Sequence, residues 1–498
     1  MKNKKKVILN FSISTISTLL TMMLGFVLPR IIMVSWGSEY NGLINSVRTI
    51  MNYLLLLEAG INTSTLQALY KSIAINDDHQ TSIVVHTSQL FYRKISAIYF
   101  LCILGVSGIY PLIVDTSIAY WEVFWVIFLQ GCSGVINFAF RASYQQLLKA
   151  EGKHYIISLV TFITQILTYA AKIISVLIFN NIIVMQFLGV IVIGIQVLIY
   201  AVYFNHKYKW IRHDVKSDMS LLENRKYYVV QQIGGLVFNS TDTFVLSVFC
   251  GLKVASVYTV YAMVYSAIST LIGIVRSSTG FVLGHSYYHG EQAFRKTYNV
   301  YTSVQMTIGC ILSSVSLLLI TGFISLYTTG VKDINYHNYL AAVLFAFSII
   351  LDCMRGANLA GANVAGQAPK TTWRYLVEAG INLLVSLFLV QFWGMVGVLL
   401  GTVVAGIWRS LDSIVFFSKN VLKKKPYGEL LFDSINLGIF ALSIVIGKMN
   451  LLPINNYWQF IIWGIVSLTI ATAIYLTVFV IANRHNISGF MNLLREKK

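Results

Sequence analysis

Seven basic and five acidic residues interrupt stretches that are otherwise apolar. The cations are Arg30, Arg48, Arg141, Lys172, Arg276, Arg355 and Arg409; the anions are Glu58, Asp242, Asp352, Glu378 and Asp412. At the centre of a helix in hydrocarbon each would cost roughly 2.5–3.5 kcal/mol. Each must therefore face a wet cavity, meet an opposite charge or bind a ligand. Two pairs are local. Asp352 and Arg355, and Arg409 and Asp412, stand three apart, the spacing of neighbours on a helix face, and read as internal salt bridges. Arg30, Arg48, Lys172 and Arg276 have no opposite charge within one turn. A guanidinium is always charged and offers paired donors that match phosphate oxygens. The chemistry these residues point to is a cationic cavity of Arg30, Arg48, Arg276, Lys172, Arg355 and Arg141 that receives a phosphate-bearing ligand. The competing reading is helix capping or snorkelling to headgroups, which suits Arg30 and Arg141 near span ends.

The acids suggest a second chemistry. Asp242 stands in the polar run Asn239-Ser-Thr-Asp-Thr243, and Glu378 and Asn382 share a helix face at i, i+4. Oxygen-rich groups of this kind hold sodium or relay protons; the alternative is hydrogen bonding between helices. Asp242, Glu378 and Asn382 are thus candidates for coupling to Na+ or H+. No catalytic residue, cofactor or metal is expected. There is no G-x-x-x-x-G-K-[ST] loop and no H-E-x-x-H pair, which removes a P-loop ATPase and a zinc protease from this chain. Cys102, Cys132, Cys250, Cys310 and Cys353 all lie in apolar segments without a C-x-x-C pair, and read as packing residues. Asn62-Thr-Ser64 and Asn239-Ser-Thr241 match the glycosylation pattern but fall within spans.

The elements that must position these charges are membrane helices. Of 498 residues, 56% are hydrophobic and 11% charged, against roughly 25% charged in soluble domains. Mean hydropathy is +0.70, and continuous apolar runs near 20 residues recur along the chain, the length that crosses a bilayer. Continuous rather than alternating runs favour helices over a barrel. The basic start, Lys2 to Lys6, leads into a long apolar stretch without a clear cleavage site, so it reads as the first span rather than a signal peptide. Spans are expected near 7–34, 41–68, 91–114, 119–146, 155–179, 182–204, 226–250, 256–284, 300–328, 338–363, 371–392, 394–418, 434–449 and 458–483. The net charge of +18 then reports membrane topology rather than nucleic-acid binding. With the N-terminus inside, inner segments and the adjoining span ends hold 27 Lys and Arg, and the outer side three, Lys253, Lys332 and Lys448. That asymmetry places both ends in the cytoplasm.

A weak internal repeat divides the spans. Arg141…Gly152-Lys153 after span 4 echoes Arg355…Gly366-Gln367 after span 10, and Gly37-Ser-Glu-Tyr-Asn-Gly42 after span 1 echoes Gly251-Leu-Lys-Val-Ala-Ser256 after span 7. A six-span offset implies two pseudo-symmetric six-helix lobes around a midplane path. The expected organisation is an N-lobe over 1–210, a C-lobe over 211–425, and two added helices with a tail over 426–498. The identical pentapeptides Glu58-Ala-Gly-Ile-Asn62 and Glu378-Ala-Gly-Ile-Asn382 break that offset and read as coincidence. Outer loops are too short to fold a catalytic module, and the longer inner connections, 69–90 and 205–225, read as surface-lying connectors.

Several segments resemble a known family. Gly37-Ser-Glu-Tyr-Asn-Gly-Leu-Ile44, Tyr53-Leu-Leu-Leu-Leu-Glu-Ala-Gly-Ile61 and Leu69-Tyr-Lys-Ser-Ile-Ala74 are similar to the opening of bacterial repeat-unit flippases for O-antigen, capsule and teichoic-type polymers. Those flippases belong to the multidrug/oligosaccharidyl-lipid/polysaccharide (MOP) exporter superfamily. The Arg141…Lys153 and Arg355…Lys370 turns resemble that family's repeated inner loops. The resemblance implies a V-shaped, MATE-like two-lobe fold of about 14 helices in the bacterial cell membrane and alternating access. It implies inner-to-outer movement of undecaprenyl-pyrophosphate-linked oligosaccharides within the bilayer lipid, alongside a polymerase and glycosyltransferases. Lipid II flippases of the superfamily are similar in placing arginines on spans 1, 2 and 8, where Arg30, Arg48 and Arg276 stand. Their sodium site on spans 7 and 11 is loosely matched by Asp242, Glu378 and Asn382. Two alternatives are a multidrug or cation antiporter of the same fold, which would want an acidic cavity, and a membrane polysaccharide polymerase, which would want a larger outer loop.

Overall fold

In hydrocarbon a helix satisfies each backbone donor and acceptor within its own segment, and the apolar runs fold accordingly. The computed structural model describes residues 2–58, 61–75, 77–211, 214–218, 241–288, 290–365 and 367–484; the side chains of residues 2–17, of Arg141 and of a few other helix residues lie outside the description. The described residues contain no β-strand. In order they form α1 (Lys2–Trp36), α2 (Ser38–Leu54), α3 (Ile61–Ala74), α4 (Asp78–Ile113), α5 (Tyr120–Ile136), α6 (Ala142–Ala150), α7 (His154–Ile174) and α8 (Ile182–Lys207). After a helical stretch over 241–249 come α9 (Gly251–Tyr288), α10 (Glu291–Tyr327), α11 (Tyr339–Val364), α12 (Ala368–Phe417), α13 (Tyr427–Lys448) and α14 (Tyr457–Asn483). Ten of the described helical stretches are long and apolar enough to cross a membrane.

The differences from the expected spans have local causes. The expected second span is two helices: α2 ends at Leu54, a tight turn covers Leu55–Glu58, and α3 starts at Ile61. The sequence Glu58-Ala-Gly60 puts a charge and the least helix-favouring residue after proline at that point. Most of span 7 lies outside the described residues. Spans 11 and 12 are joined as the single 50-residue α12, but Gly394 (φ 52°, ψ −127°) breaks it. The two arms then run antiparallel: Asn382 Nδ2 donates to Thr402 Oγ1 (2.9 Å) and Ser386 Oγ to the Val398 carbonyl (3.1 Å). Span 13, expected from 434, begins at Tyr427.

The chain forms two compact units, Met1–Ser256 and Val257–Lys498, where a boundary at 210/211 was the expectation. Residues 241–256 go with the first unit because they bond to it. Tyr53 Oη meets Thr241 Oγ1 (2.5 Å), Tyr110 Oη donates to Ser247 Oγ (3.0 Å), and Asn41 Nδ2 donates to Ser256 Oγ (2.7 Å). In that unit α1 packs on α7, α4 on α5, and α8 on both α5 and α7. In the second unit α10 is the hub for α11, α13 and α14, and α11 packs on α12. The two added helices are pinned to α10 by Ser443, Ser314 and Tyr475, whose hydroxyls meet at 3.1 and 2.9 Å.

The internal repeat is written in the backbone. Gly37 and Gly251, Asn180 and Gly394 each stand 214 residues apart, and all four carry positive φ (93°, 82°, 45°, 52°). The same separation relates Arg141 to Arg355. The turns that follow share their hydrogen bonds: Lys153 N to Leu148 O (2.8 Å) against Gln367 N to Ala362 O (2.9 Å), and Ile156 N to Lys153 O against Lys370 N to Gln367 O, both 3.1 Å. The described residues thus carry a repeated backbone plan, with α13 and α14 following the second copy.

Glycines permit the close approach of the α12 arms. A Cβ on Gly397 would lie 2.2 Å from the Leu389 carbonyl oxygen, whereas one on Gly380 would meet nothing within 4 Å. Overpacking of this kind costs about 1–3 kcal/mol. Gly397→Ala is expected to lower the thermal midpoint of the purified protein by several degrees, while Gly380→Ala leaves it unchanged or higher. Equal midpoints for the two variants would contradict the hairpin.

Candidate functional site

The second unit pairs its intramembrane arginines with carboxylates. Arg276 of α9 donates through Nη2 to Asp352 Oδ2 (3.0 Å) and to the Asp352 carbonyl (3.2 Å). It lies flat against Gly356, where a Cβ would sit 2.5 Å from the guanidinium carbon. Arg355, one turn along α11, takes the other Asp352 oxygen at 2.9 Å and also pairs with Glu378. The second Glu378 oxygen lies 3.5 Å from Arg409 Nε. Arg409 reaches Asp412 at 3.0 Å, and Asp412 pairs with Arg374 at 2.9 Å. Arg409 is fully buried under the Tyr375 ring (4.9 Å), and Arg374 lies against Phe416 (4.3 Å). The result is a ladder of four guanidiniums and three carboxylates that ties α9, α11 and both arms of α12.

This revises the expected site. The Asp352–Arg355 and Arg409–Asp412 pairs form as the spacing implies. Arg276, which has no local partner in sequence, finds its anion on another helix. Arg276 and Arg355 are therefore paired cations rather than bare ones. Glu378 is held by two arginines through its two oxygens, which makes it a counter-ion rather than an open cation ligand. Asn382 is fully buried; its amide donates to Thr402 while its Oδ1 has no hydrogen-bond partner.

The first unit is different. Arg48 is the exposed residue in Leu43–Met51, a run otherwise buried or half-buried. Lys172 is half-buried on α7, with its Cε 3.4 Å from where a Gly189 Cβ would stand. The two cations lie within electrostatic range of each other, and neither makes an ion pair with a described residue. Arg30 is half-buried on α1 beside Pro29, through which the helix continues. The Arg141 side chain lies outside the described residues. Asp242 is buried next to Thr241, the partner of Tyr53. It belongs to the first unit and Glu378 and Asn382 to the second.

A polar network around Asn62 completes the first unit. Asn62 donates to Glu58 (3.0 Å), and its oxygen accepts from Tyr92 Oη (2.5 Å) and Gln146 Nε2 (2.8 Å). Outside the spans, Tyr208 closes a triad with Glu151 and Lys153, and Lys153 Nζ donates to Tyr208 Oη at 3.1 Å. Burial first, and then the Glu151 carboxylate, push the Tyr208 hydroxyl well above the ordinary phenol range. Sequence reasoning missed this triad, and it missed the acids Glu429 and Asp433. For the acids an i, i+4 signal was present, but the expected start of span 13 at 434 left both outside the membrane.

No family model matches the chain, and no curated protein matches it. Solved structures do. An inward-facing multidrug resistance MATE family transporter of the MOP superfamily aligns over 83% of this chain and 98% of its own, with TM-score 0.67 and 14% identity. The lipid II flippase MurJ, in an inward closed conformation, aligns over 94% of this chain and 99% of its own, with TM-score 0.69 and 12% identity. An outward-facing MATE transporter covers 84% and 95%, with TM-score 0.58 and 14% identity. The chain thus has the all-helical, multi-pass membrane fold of MATE transporters and MurJ.

Breaking a buried ion pair by removing one partner costs about 3–5 kcal/mol. Glu378→Gln removes one of the two carboxylates that answer the fully buried Arg409 and one of the two that answer Arg355, and is expected to destabilise the protein by up to that order. Glu378→Met combined with Arg409→Met should recover much of the loss. Thermal unfolding of the variants in detergent checks this, and additive losses in the double variant would refute the coupling.

Proposed function

We propose that this chain is a flippase that moves undecaprenyl-pyrophosphate-linked oligosaccharide repeat units from the inner to the outer leaflet of a bacterial cell membrane, by alternating access, for surface polysaccharide synthesis. Both termini are cytoplasmic in this reading, as the lysine and arginine asymmetry requires. The observation that carries it is the Arg48–Lys172 pair. Two neighbouring cations without a carboxylate repel each other, and the arrangement is stabilised when an anion comes between them. A pyrophosphate supplies two to three negative charges and many acceptor oxygens in one compact group, and a guanidinium beside an ammonium matches it. The lipid tail stays in the bilayer.

The fold adds support. The alignment with the flippase MurJ covers 94% of this chain against 83% for that with the inward-facing transporter. Arg30, which follows Pro29, and Arg141 complete the proposed phosphate-binding set, while Arg276 and Arg355 contribute through the ladder, whose four guanidiniums exceed its three carboxylates. Asp242 and Asn382 are the coupling-ion candidates for Na+ or H+. The MATE likeness favours one other reading, a multidrug antiporter, but a cationic drug is repelled by Arg48 and Lys172. A polymerase and glycosyltransferases of the same pathway are the expected functional partners.

A charge-assisted hydrogen bond contributes about 1.5–3 kcal/mol, so each cation removed should slow binding-dependent transport by about 10- to 100-fold. Arg48→Ala and Lys172→Ala are expected to lose transport of a fluorescent polyprenyl-pyrophosphate glycan in proteoliposomes to this extent. They should also deplete surface polysaccharide in cells that still hold the protein in the membrane. Wild-type transport by both variants would refute the assignment.

A further inference from the structure

Helix α13 carries a polar stripe that the ladder and the cation pair do not use. Glu429, Asp433 and Asn436 stand at i, i+4 and i+7, which places them on one face. Glu429 is well compensated. Its carboxylate accepts from Asn358 Nδ2 (2.8 Å) and from Tyr298 Oη (3.2 Å). It also sits in the first turn of α13, where the helix dipole favours negative charge, and it feels the Lys424 ammonium. The Asn358 oxygen is itself taken by Tyr298 Oη (2.5 Å).

Asp433 has none of this support. It is 5% exposed and makes no hydrogen bond or ion pair with a described residue. Its electrostatic neighbours are Glu429 on its own helix and Tyr298 and Cys310 on α10, none of them a cation. One turn further, Asn436 is fully buried. Its amide donates to the Phe432 carbonyl (2.8 Å), but its Oδ1 has no partner. A carboxylate and an amide oxygen, both buried and both unanswered on one stripe, are costly unless something positive joins them. The donors are hard oxygens, which suit an alkali cation rather than a thiophilic metal. Among the described residues no group of three or more His, Cys, Asp and Glu comes together, so a site built for a transition metal does not fit.

We propose that Asp433, Glu429 and Asn436, with Tyr298, bind one sodium ion between α13 and α10. The ion neutralises the uncompensated carboxylate and fastens an added helix to the hub of the second unit. The site does not involve Arg48 or Lys172, so it stands whether or not the flippase assignment does.

The test uses the purified full-length protein in nanodiscs, with radioactive sodium binding and thermal unfolding in sodium chloride against choline chloride at equal ionic strength. Wild type should bind one equivalent of sodium at this site, beyond any held at the coupling candidates Asp242 and Asn382, and through it unfold at a higher temperature in sodium. Asp433→Asn should lose both effects, and Glu291→Gln, at an exposed acid on α10, should keep both. Asn436→Ala should fold normally and bind sodium about tenfold more weakly, which decides the matter should Asp433→Asn fail to fold. A folded wild type without sodium binding, with Asp433→Asn equally or more stable in choline, would overturn the proposal in favour of a protonated acid. Unchanged binding in Asp433→Asn or Asn436→Ala would overturn it as well.

Discussion

A fixed charge inside a hydrocarbon layer must be answered, and the two units answer it differently. The second pairs nearly every guanidinium with a carboxylate, from Arg276 through Asp352, Arg355, Glu378 and Arg409 to Asp412 and Arg374. Removing Asp352 strands Arg276 and removing Asp412 strands Arg374, while each inner charge answers two neighbours, so the ladder holds three helices in one arrangement. The first unit leaves Arg48 and Lys172 without counter-ions among the described residues. An uncompensated pair is tolerable where water or a ligand reaches it, and Arg48 is exposed.

The asymmetry is sharper because it falls on positions related by the repeat. At the 214-residue offset the ladder positions Arg276, Asp352, Arg374, Glu378, Arg409 and Asp412 correspond to Asn62, Phe138, Val160, Thr164, Ile195 and Leu198. Arg355 alone keeps its type, as Arg141. The cation pair is equally one-sided, since Arg48 corresponds to Ala262 and Lys172 to Ser386. In the first unit the place of the ladder is taken by amides and hydroxyls: Asn62 with Tyr92 and Gln146, and Thr164 with Gln196. One backbone plan therefore serves two electrostatic tasks. Neutral hydrogen bonds suffice where packing is the need, paired charges fix the α11–α12 contact, and bare charges are kept where an anion is to be received.

The fold was legible because its signals are local. Apolar length marks most of the spans, and the glycine echoes at Gly37 and Gly251 mark the repeat, since positive φ at a helix junction favours glycine. Asn180 and Gly394 both take positive φ at this offset, but as different residues and with different ψ (41° and −127°), which hid that part of the repeat from a reader of residue types. The break in span 2 was hidden because Leu55 to Leu57 are as apolar as any span. The site was legible only where partners are neighbours in sequence. Asp352–Arg355 and Arg409–Asp412 follow from spacing, but Arg276–Asp352 and Glu378–Arg409 join different helices or arms, and no pattern along one chain reveals them. Asp433 was lost to a boundary: a hydropathy window starts after an acid pair, and so treats as solvated the residues that packing has buried.

The two identical pentapeptides show why partners, not local sequence, decide what a charge does. Glu58-Ala-Gly-Ile-Asn62 and Glu378-Ala-Gly-Ile-Asn382 place the same carboxylate and amide four residues apart. In the first, a turn interrupts the helix, and the Asn62 amide bonds back to Glu58 at 3.0 Å. In the second, the helix is continuous, so two arginines claim Glu378 and the Asn382 amide crosses to Thr402 on the opposite arm. The difference arises outside the motif, from a fully buried Arg409 delivered by the turn at Gly394. An acid in this fold becomes a counter-ion where a guanidinium is built to reach it. Where none is, as at Asp433, the same physics requires the positive charge to come from solution.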